Sequence, residues 1–243
     1  MNEILCRQLA LDCSCLEQDV ADGRNHFTVQ RYQEGRRLLW EEKECYLKVI
    51  VVNGKLLFTG AESILRWCEK QYGETGGEWF FEFRRLQKLE EKLAETGHQI
   101  KLVRPYYIPD RLVKMDARGF ELRWYEGVEI EQFRGDRRFE RAYSFEADAP
   151  DVIGVAAVRE NRIIGMAGAS CDSPTMWQIG IDVDQSARRS GVAQVLVSEL
   201  ARAIERKGIL PFYGTAMSHI GSQKVALRAG FLPAWAELTT KLA

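Results

Sequence analysis

The residues with the clearest chemical potential are Arg188-Arg189-Ser190-Gly191-Val192-Ala193. They stand between two strongly patterned stretches. On one side, Met176 to Asp184 alternates Ile179, Ile181 and Val183 with Gln178, Gly180, Asp182 and Asp184, as a half-buried strand does. On the other, Val192, Val195, Leu196, Leu200 and Ile204 fall on one stripe of a helix. The six residues therefore open a helix, where the first backbone N–H groups have no partner within the helix and the dipole favours an anion. Glycine and alanine clear side-chain bulk from the main chain, and two arginines add charge-assisted contacts. Taken alone, the same six residues also fit an ordinary helix start with a surface arginine pair.

The elements around this turn form an ordered series. Val152 to Val158 reads as a strand, Arg159-Glu160-Asn161-Arg162 as a turn, and Ile163 to Ser170 as the returning strand. Gly208 closes the long helix, Ile209 to Thr215 reads as another strand, Ser218 to Ala229 as a helix, and Gly230-Phe231 leads into a last strand through Leu238. The expected class is α+β, a mixed central sheet flanked by helices. From Gln185 onward eight basic residues face three acidic ones, so this segment carries +5.

In that order the sequence resembles the GNAT superfamily of acyl-CoA-dependent N-acetyltransferases, over about Asp151 to Leu238. The family's motif, Gln/Arg-x-x-Gly-x-Gly/Ala between an apolar strand and a long helix, is matched by Arg188, Gly191 and Ala193. Gln178 to Val183 stands where the family's fourth strand stands, and Ser218 to Phe231 where its late helix ends in Gly-Phe. The resemblance implies acetyl-CoA as co-substrate, with the backbone of Arg189, Ser190, Gly191, Val192 and Ala193 around the pyrophosphate and Arg188 beside it. It implies main-chain pairing of Ile181 and Val183 with the pantetheine arm, and a thioester where this strand splays from the one holding Phe212 and Tyr213. A primary amine would attack directly and CoA would leave as a thiolate. Ser222 is a further candidate contact.

The sequence departs from the family pattern in two ways. The Tyr that often protonates the thiolate, seven residues after an Asn, is Ala226 here, and the Asn position is His219. Tyr213, Cys171 and Ser222 are candidate substitutes. Trp177 stands where some members carry a basic Glu, which leaves Asp182, Asp172 and His219 as candidate bases. Trp177 and Gln178 fit an acceptor pocket or the core. A non-catalytic acyl-CoA-binding regulatory module is the alternative that the missing Tyr suggests.

The first half is built differently. All six prolines lie at or after Pro105, and Arg104 to Asp110, with two prolines four apart, is the expected boundary. Residues 1–112 are then a smaller mixed α/β N-terminal domain on the acceptor side, and 113–243 the GNAT-like catalytic domain. Tyr106-Tyr107-Ile108-Pro109-Asp110 also looks like a GNAT subgroup with such an extra domain. Within the first half a strand from Cys45 to Val52, the turn Asn53-Gly54 and a return from Lys55 to Thr59 read as a hairpin. Helices are expected around Ile64 to Tyr72 and Phe83 to Leu93, and Trp40, Trp67, Trp79, Phe80 and Phe81 read as core or as a binding surface.

Composition limits the partners. The 243 residues hold 34 Lys+Arg against 35 Asp+Glu, so no bulk excess of positive charge favours nucleic acid or an anionic membrane. Ile4-Leu5-Cys6 is cut short by Arg7, no apolar run nears the ~20 residues that span a bilayer, and no signal peptide is visible, so a cytoplasmic protein is expected. The six cysteines contain no Cys-x-x-Cys pair and read as buried reduced thiols, with no metal expected. A small-molecule amine acceptor and a homo-oligomer complete the expectations.

Overall fold

The computed structural model describes residues 1–37, 46–117 and 119–243. In chain order the elements are α1 (Glu3–Asp12), α2 (Glu17–Ala21), β1 (His26–Val29), β2 (Leu47–Val52), β3 (Lys55–Gly60), α3 (Glu62–Tyr72), α4 (Phe83–Ala94), β4 (His98–Pro109), β5 (Glu121–Glu126), β6 (Asp151–Arg159), β7 (Arg162–Cys171), β8 (Met176–Val183), α5 (Val192–Arg206), β9 (Leu210–Gly214), α6 (Ile220–Ala229) and β10 (Phe231–Leu242). The class is α+β. Two compact units form, one from Met1–Tyr106 with Ala234–Ala243, the other from Tyr107–Pro233. The return of the last ten residues to the first unit is something a division in chain order at residue 112 does not anticipate. Among the described residues no helix is long and apolar enough to cross a membrane.

In the first unit β1 pairs with β3 in parallel, and β2 pairs antiparallel with both β3 and β10. Asn53 and Gly54 both take left-handed φ, 49° and 77°, which is the geometry an Asn-Gly hairpin turn needs. Phe58, Tyr72 and Phe80 interlock edge-on and stacked, and Trp67 and Phe81 pack against this core. Trp79 is instead 64% exposed, so the core reading of that residue is corrected. It sits in a 3-10 turn, Gly77–Trp79, which sends the next residue, Phe80, inward. Trp40, Cys45 and the run Glu41 to Glu44 lie outside the described residues. The stretch with Pro105 and Pro109 belongs to the extended strand β4, and the division between the two units, after Tyr106, falls within it.

Buried charge distinguishes this unit. Arg37, Asp12 and Glu237 have fully buried side chains, with Arg37 paired to Asp12 and, at 3.0 Å, to Glu237. Lys48 lies 3.4 Å from Glu237, and the Arg37 guanidinium sits 4.9 Å over the Trp235 ring. Burial works against the charge on Arg37, but Asp12 and Glu237 more than offset it and raise its pKa.

In the second unit β5, β6, β7 and β8 run antiparallel to their neighbours and β9 joins β8 in parallel. Ile153, Val155, Ala157, Ala167, Ala169 and Ile179 turn one face towards the apolar stripe of α5. The other face, with Ala156, Val158 and Met166, is covered by Ile130, Phe133 and Phe139 from the 3-10 segments Gly127–Phe133 and Arg137–Phe139, and by Tyr143 just beyond them.

Candidate active site

The second unit has an interrupted sheet at the place the motif predicts. β8 pairs with β9 from Met176↔Leu210 to Ile179↔Tyr213, and its ladder with β7 continues to Val183↔Gly165. From Gly180 onward β8 therefore has no register partner in β9. The Asp184 N–H donates to Ile164 O at 2.9 Å, continuing the β7 ladder. Because bonded and non-bonded pairs alternate in antiparallel sheets, Asp182 and Gly180 are bonded to β7. The main-chain groups of Ile181 and Val183 then point away from β7, towards the open side. An extended chain with its own amides can add there as a strand would.

The turn after β8 is shaped by local bonds. Asp184 accepts from Ser186 N–H at 2.8 Å, and the Ser190 hydroxyl donates to Ala187 O at 2.6 Å. Arg189 and Gly191 both have left-handed φ, 64° and 87°. Gly191 is the residue before α5, and no side chain caps that helix. A Cβ built on Gly191 would find its nearest neighbour 4.0 Å away, so the glycine answers to its dihedral and not to crowding. Arg188, Arg189 and Ser190 are exposed, and Val192 is buried as the first knob of the helix. A cavity of about 390 Å³ adjoins Ser190 and Gly191, lined also by Lys114, Asp116 and Phe120. Lys114 and Phe120 carry no motif, and only the fold brings them here.

Tyr213 occupies the last paired position of β9 and is buried. Its hydroxyl lies 2.8 Å from the Ser222 hydroxyl on α6, so these two expected residues do meet. Burial raises the phenol pKa, partly offset by Ser222. His219 is exposed, just before α6, with backbone bonds to Ala216 and Gln223. Ala226 is fully buried.

The carboxylates are engaged. One oxygen of Asp172 accepts from the Ser170 hydroxyl at 2.8 Å and from Gln178 N–H at 3.1 Å, closing the β7–β8 turn. Asp182 accepts from the N–H groups of Arg141 and Ala142, at 2.8 and 3.0 Å, and burial raises its pKa against these bonds. Trp177 packs against the apolar core on the α5 face. Burial also raises the pKa of the Cys171 thiol, which opposes its ionisation.

Residues 117–231 match the family model of the acetyltransferase (GNAT) family. This segment, 115 of the 243 residues, belongs to the GNAT family, a family of acyltransferases. Solved structures similar to the chain include a GCN5-related N-acetyltransferase from Kribbella flavida, 18% identical, covering 63% of this chain and 63% of its own, with a TM-score of 0.47. A GCN5-related N-acetyltransferase-like protein from Streptococcus suis is 13% identical, covering 87% and 89%, with a TM-score of 0.48. An acetyltransferase of the GNAT family from Colwellia psychrerythraea is 13% identical, covering 79% and 78%, with a TM-score of 0.46. The chain spans less than two thirds of the length of several such structures. A search of curated proteins found no match.

Proposed function

We propose that the second unit transfers an acetyl group from acetyl-CoA to a primary amine of a small molecule by direct attack. The observation that carries this reading is the coincidence of an uncapped helix start after Arg188-Arg189-Ser190-Gly191 with an open β8 edge at Ile181 and Val183. The pyrophosphate sits on the amides from Arg189 to Ala193, with Arg188 beside them, and the pantetheine arm pairs with Ile181 and Val183. The amine nitrogen attacks the thioester carbonyl carbon, whose oxygen takes a hydrogen bond from a backbone N–H near Ile181. The C–S bond breaks, and the electron pair leaves on sulfur. The nitrogen, cationic after attack, gives up one proton to solvent water. Tyr213, whose raised pKa keeps it protonated near neutrality, donates its proton to the thiolate, and its phenolate regains one from solvent through Ser222. A thiolate, conjugate to a pKa near ~8.5, makes only a modest demand on that acid.

Titration calorimetry with acetyl-CoA tests the first step. Binding is expected for the parent protein and for Gly191→Asn, which tolerates left-handed φ. Gly191→Asp should weaken it by at least about 100-fold, because it sets a negative charge against the pyrophosphate. Equal affinity for all three would remove the turn from the site.

A further inference from the structure

We propose that Asp182 is a positioning residue: its carboxylate clamps the Arg141–Ala142 backbone onto β8 beside the open edge, and so fixes the wall against which the acceptor amine is held. The role towards the acceptor rests on the acyl-transfer reading; the clamp itself does not.

The geometry that points to this is a close approach of main chain to sheet. Gly154, Gly168 and Gly180 are register partners across β6, β7 and β8, forming one row. A Cβ on Gly180 would lie 1.8 Å from Arg141 O, and one on Gly168 would lie 2.2 Å from Ala142 O. One on Gly154 would lie 1.8 Å from the Tyr143 hydroxyl. Residues 141–143 thus lie directly on the sheet, in space that any larger residue would fill. Ala142 and Tyr143 are buried there with Phe133, Phe139 and Met166, which anchors the segment towards β6 and β7. Over β8 the anchor is polar, and it is Asp182.

Both N–H groups go to a single oxygen of that carboxylate, Oδ2. They give both backbone donors a partner, one at an exposed position and one at a part-buried position against the sheet. They favour the ionised form of the carboxyl, but burial outweighs them and its pKa is raised, so the base and the clamp are told apart by the variants below. The clamp acts at Gly180 to Asp182, just past Ile179↔Tyr213, where β8 and β9 part. A segment fixed at that level borders whatever enters the opening.

The single-oxygen arrangement supplies the test. In Asp182→Asn, the amide oxygen can accept the same two bonds with no carboxylate to act as base. In Asp182→Ala both bonds are lost. Amide hydrogen exchange on the full chain should show Arg141 and Ala142 exchanging at least tenfold faster in Asp182→Ala, and close to the parent rate in Asp182→Asn. With an amine found active by thiol release, the acceptor KM should rise at least tenfold in Asp182→Ala with acetyl-CoA affinity unchanged, and Asp182→Asn should keep kcat within a few-fold. A kcat loss of 100-fold or more in Asp182→Asn, with normal exchange, would make Asp182 a base and overturn the proposal. Unchanged exchange in Asp182→Ala would also overturn it. If the parent protein releases no thiol with any amine, the acyl-transfer reading and the acceptor role fall together, and the exchange rates still decide the clamp.

Discussion

The two units bury polar groups in opposite ways. The first encloses full charges, Arg37 and Lys48 against Asp12 and Glu237, and closes them with an aromatic stack of Tyr106 and Trp235 at 4.8 Å. The second keeps its helix-side core apolar and leaves the side of β8 away from β7 without a strand partner after Ile179, among the described residues. Buried ion pairs contribute little net stability over apolar packing but are costly to break, so they favour one arrangement over its competitors. They suit a unit whose chain ends must find one another, as Arg37 and Glu237 do across 200 residues. Unpaired strand edges and uncapped helix ends are liabilities unless a ligand completes them. The contrast separates a unit whose buried charges pair with one another from one with an open strand edge and an uncapped helix start, which the proposed acyl-CoA would fill.

Breaking the first side of this contrast should have the largest effect. Asp12→Ala leaves Arg37 and Lys48 with Glu237 as their one buried counter-charge among the described residues, and should cost about 3–5 kcal/mol in urea unfolding of the first unit. A loss under ~1 kcal/mol would mean that water reaches the pair. Filling the glycine row comes next. Gly180→Val must push Arg141 off the sheet, and about 3 kcal/mol of destabilisation of the second unit is expected, near the upper range for overpacking. Tyr213→Phe removes one hydroxyl and its bond to Ser222, for which a stability loss of ~1 kcal/mol is expected. The accompanying fall in kcat should be about tenfold, since the leaving group is already a tolerable thiolate.

The smallest expected effect tests the burial of charge in the second unit. Burial pushes the carboxyl of Asp151 up to about 6, despite the bond from Phe145 N–H at 2.7 Å. A folded pKa above the unfolded one, ~3.9, means that protonation favours the folded form. That contribution is complete below about pH 4 and is lost as pH rises through about 6. Asp151→Asn should therefore raise Tm by about 2–4 °C at pH 8, and the gain should vanish near pH 4 in a series of thermal melts. A gain that grew on acidification would reverse that sign.

The range of the interactions decides how much of this is legible in the sequence. The alternation from Met176, the stripe of α5, the Asn53-Gly54 turn and the turn from Arg188 to Ala193 are local patterns, and all are legible. So was the meeting of β8 with the strand holding Tyr213, given the family resemblance. The glycine row was not, because Gly154, Gly168 and Gly180 become neighbours only through strand register. Nor were the bonds of Asp182, whose partners lie 40 and 41 residues away. Lys114 and Phe120 reach the turn through an irregular segment with no periodicity. The helix α1 escaped because its apolar stretch is interrupted by Arg7, although Asn2 caps it with a 3.1 Å bond to Leu5 N–H. Trp79 misled in the other direction, since an aromatic run says that some rings are buried and not which.

Acceptor-dependent release of free CoA tests the central claim most directly. Acetyl-CoA and a panel of primary amines would be incubated with the parent protein and with Gly191→Asp, and free thiol followed over time. Thiol release that saturates with at least one amine, and is lost in Gly191→Asp, is the result expected of an N-acetyltransferase. Tight acetyl-CoA binding with no thiol release for any amine would contradict it, and would leave the second unit as an acyl-CoA-binding module.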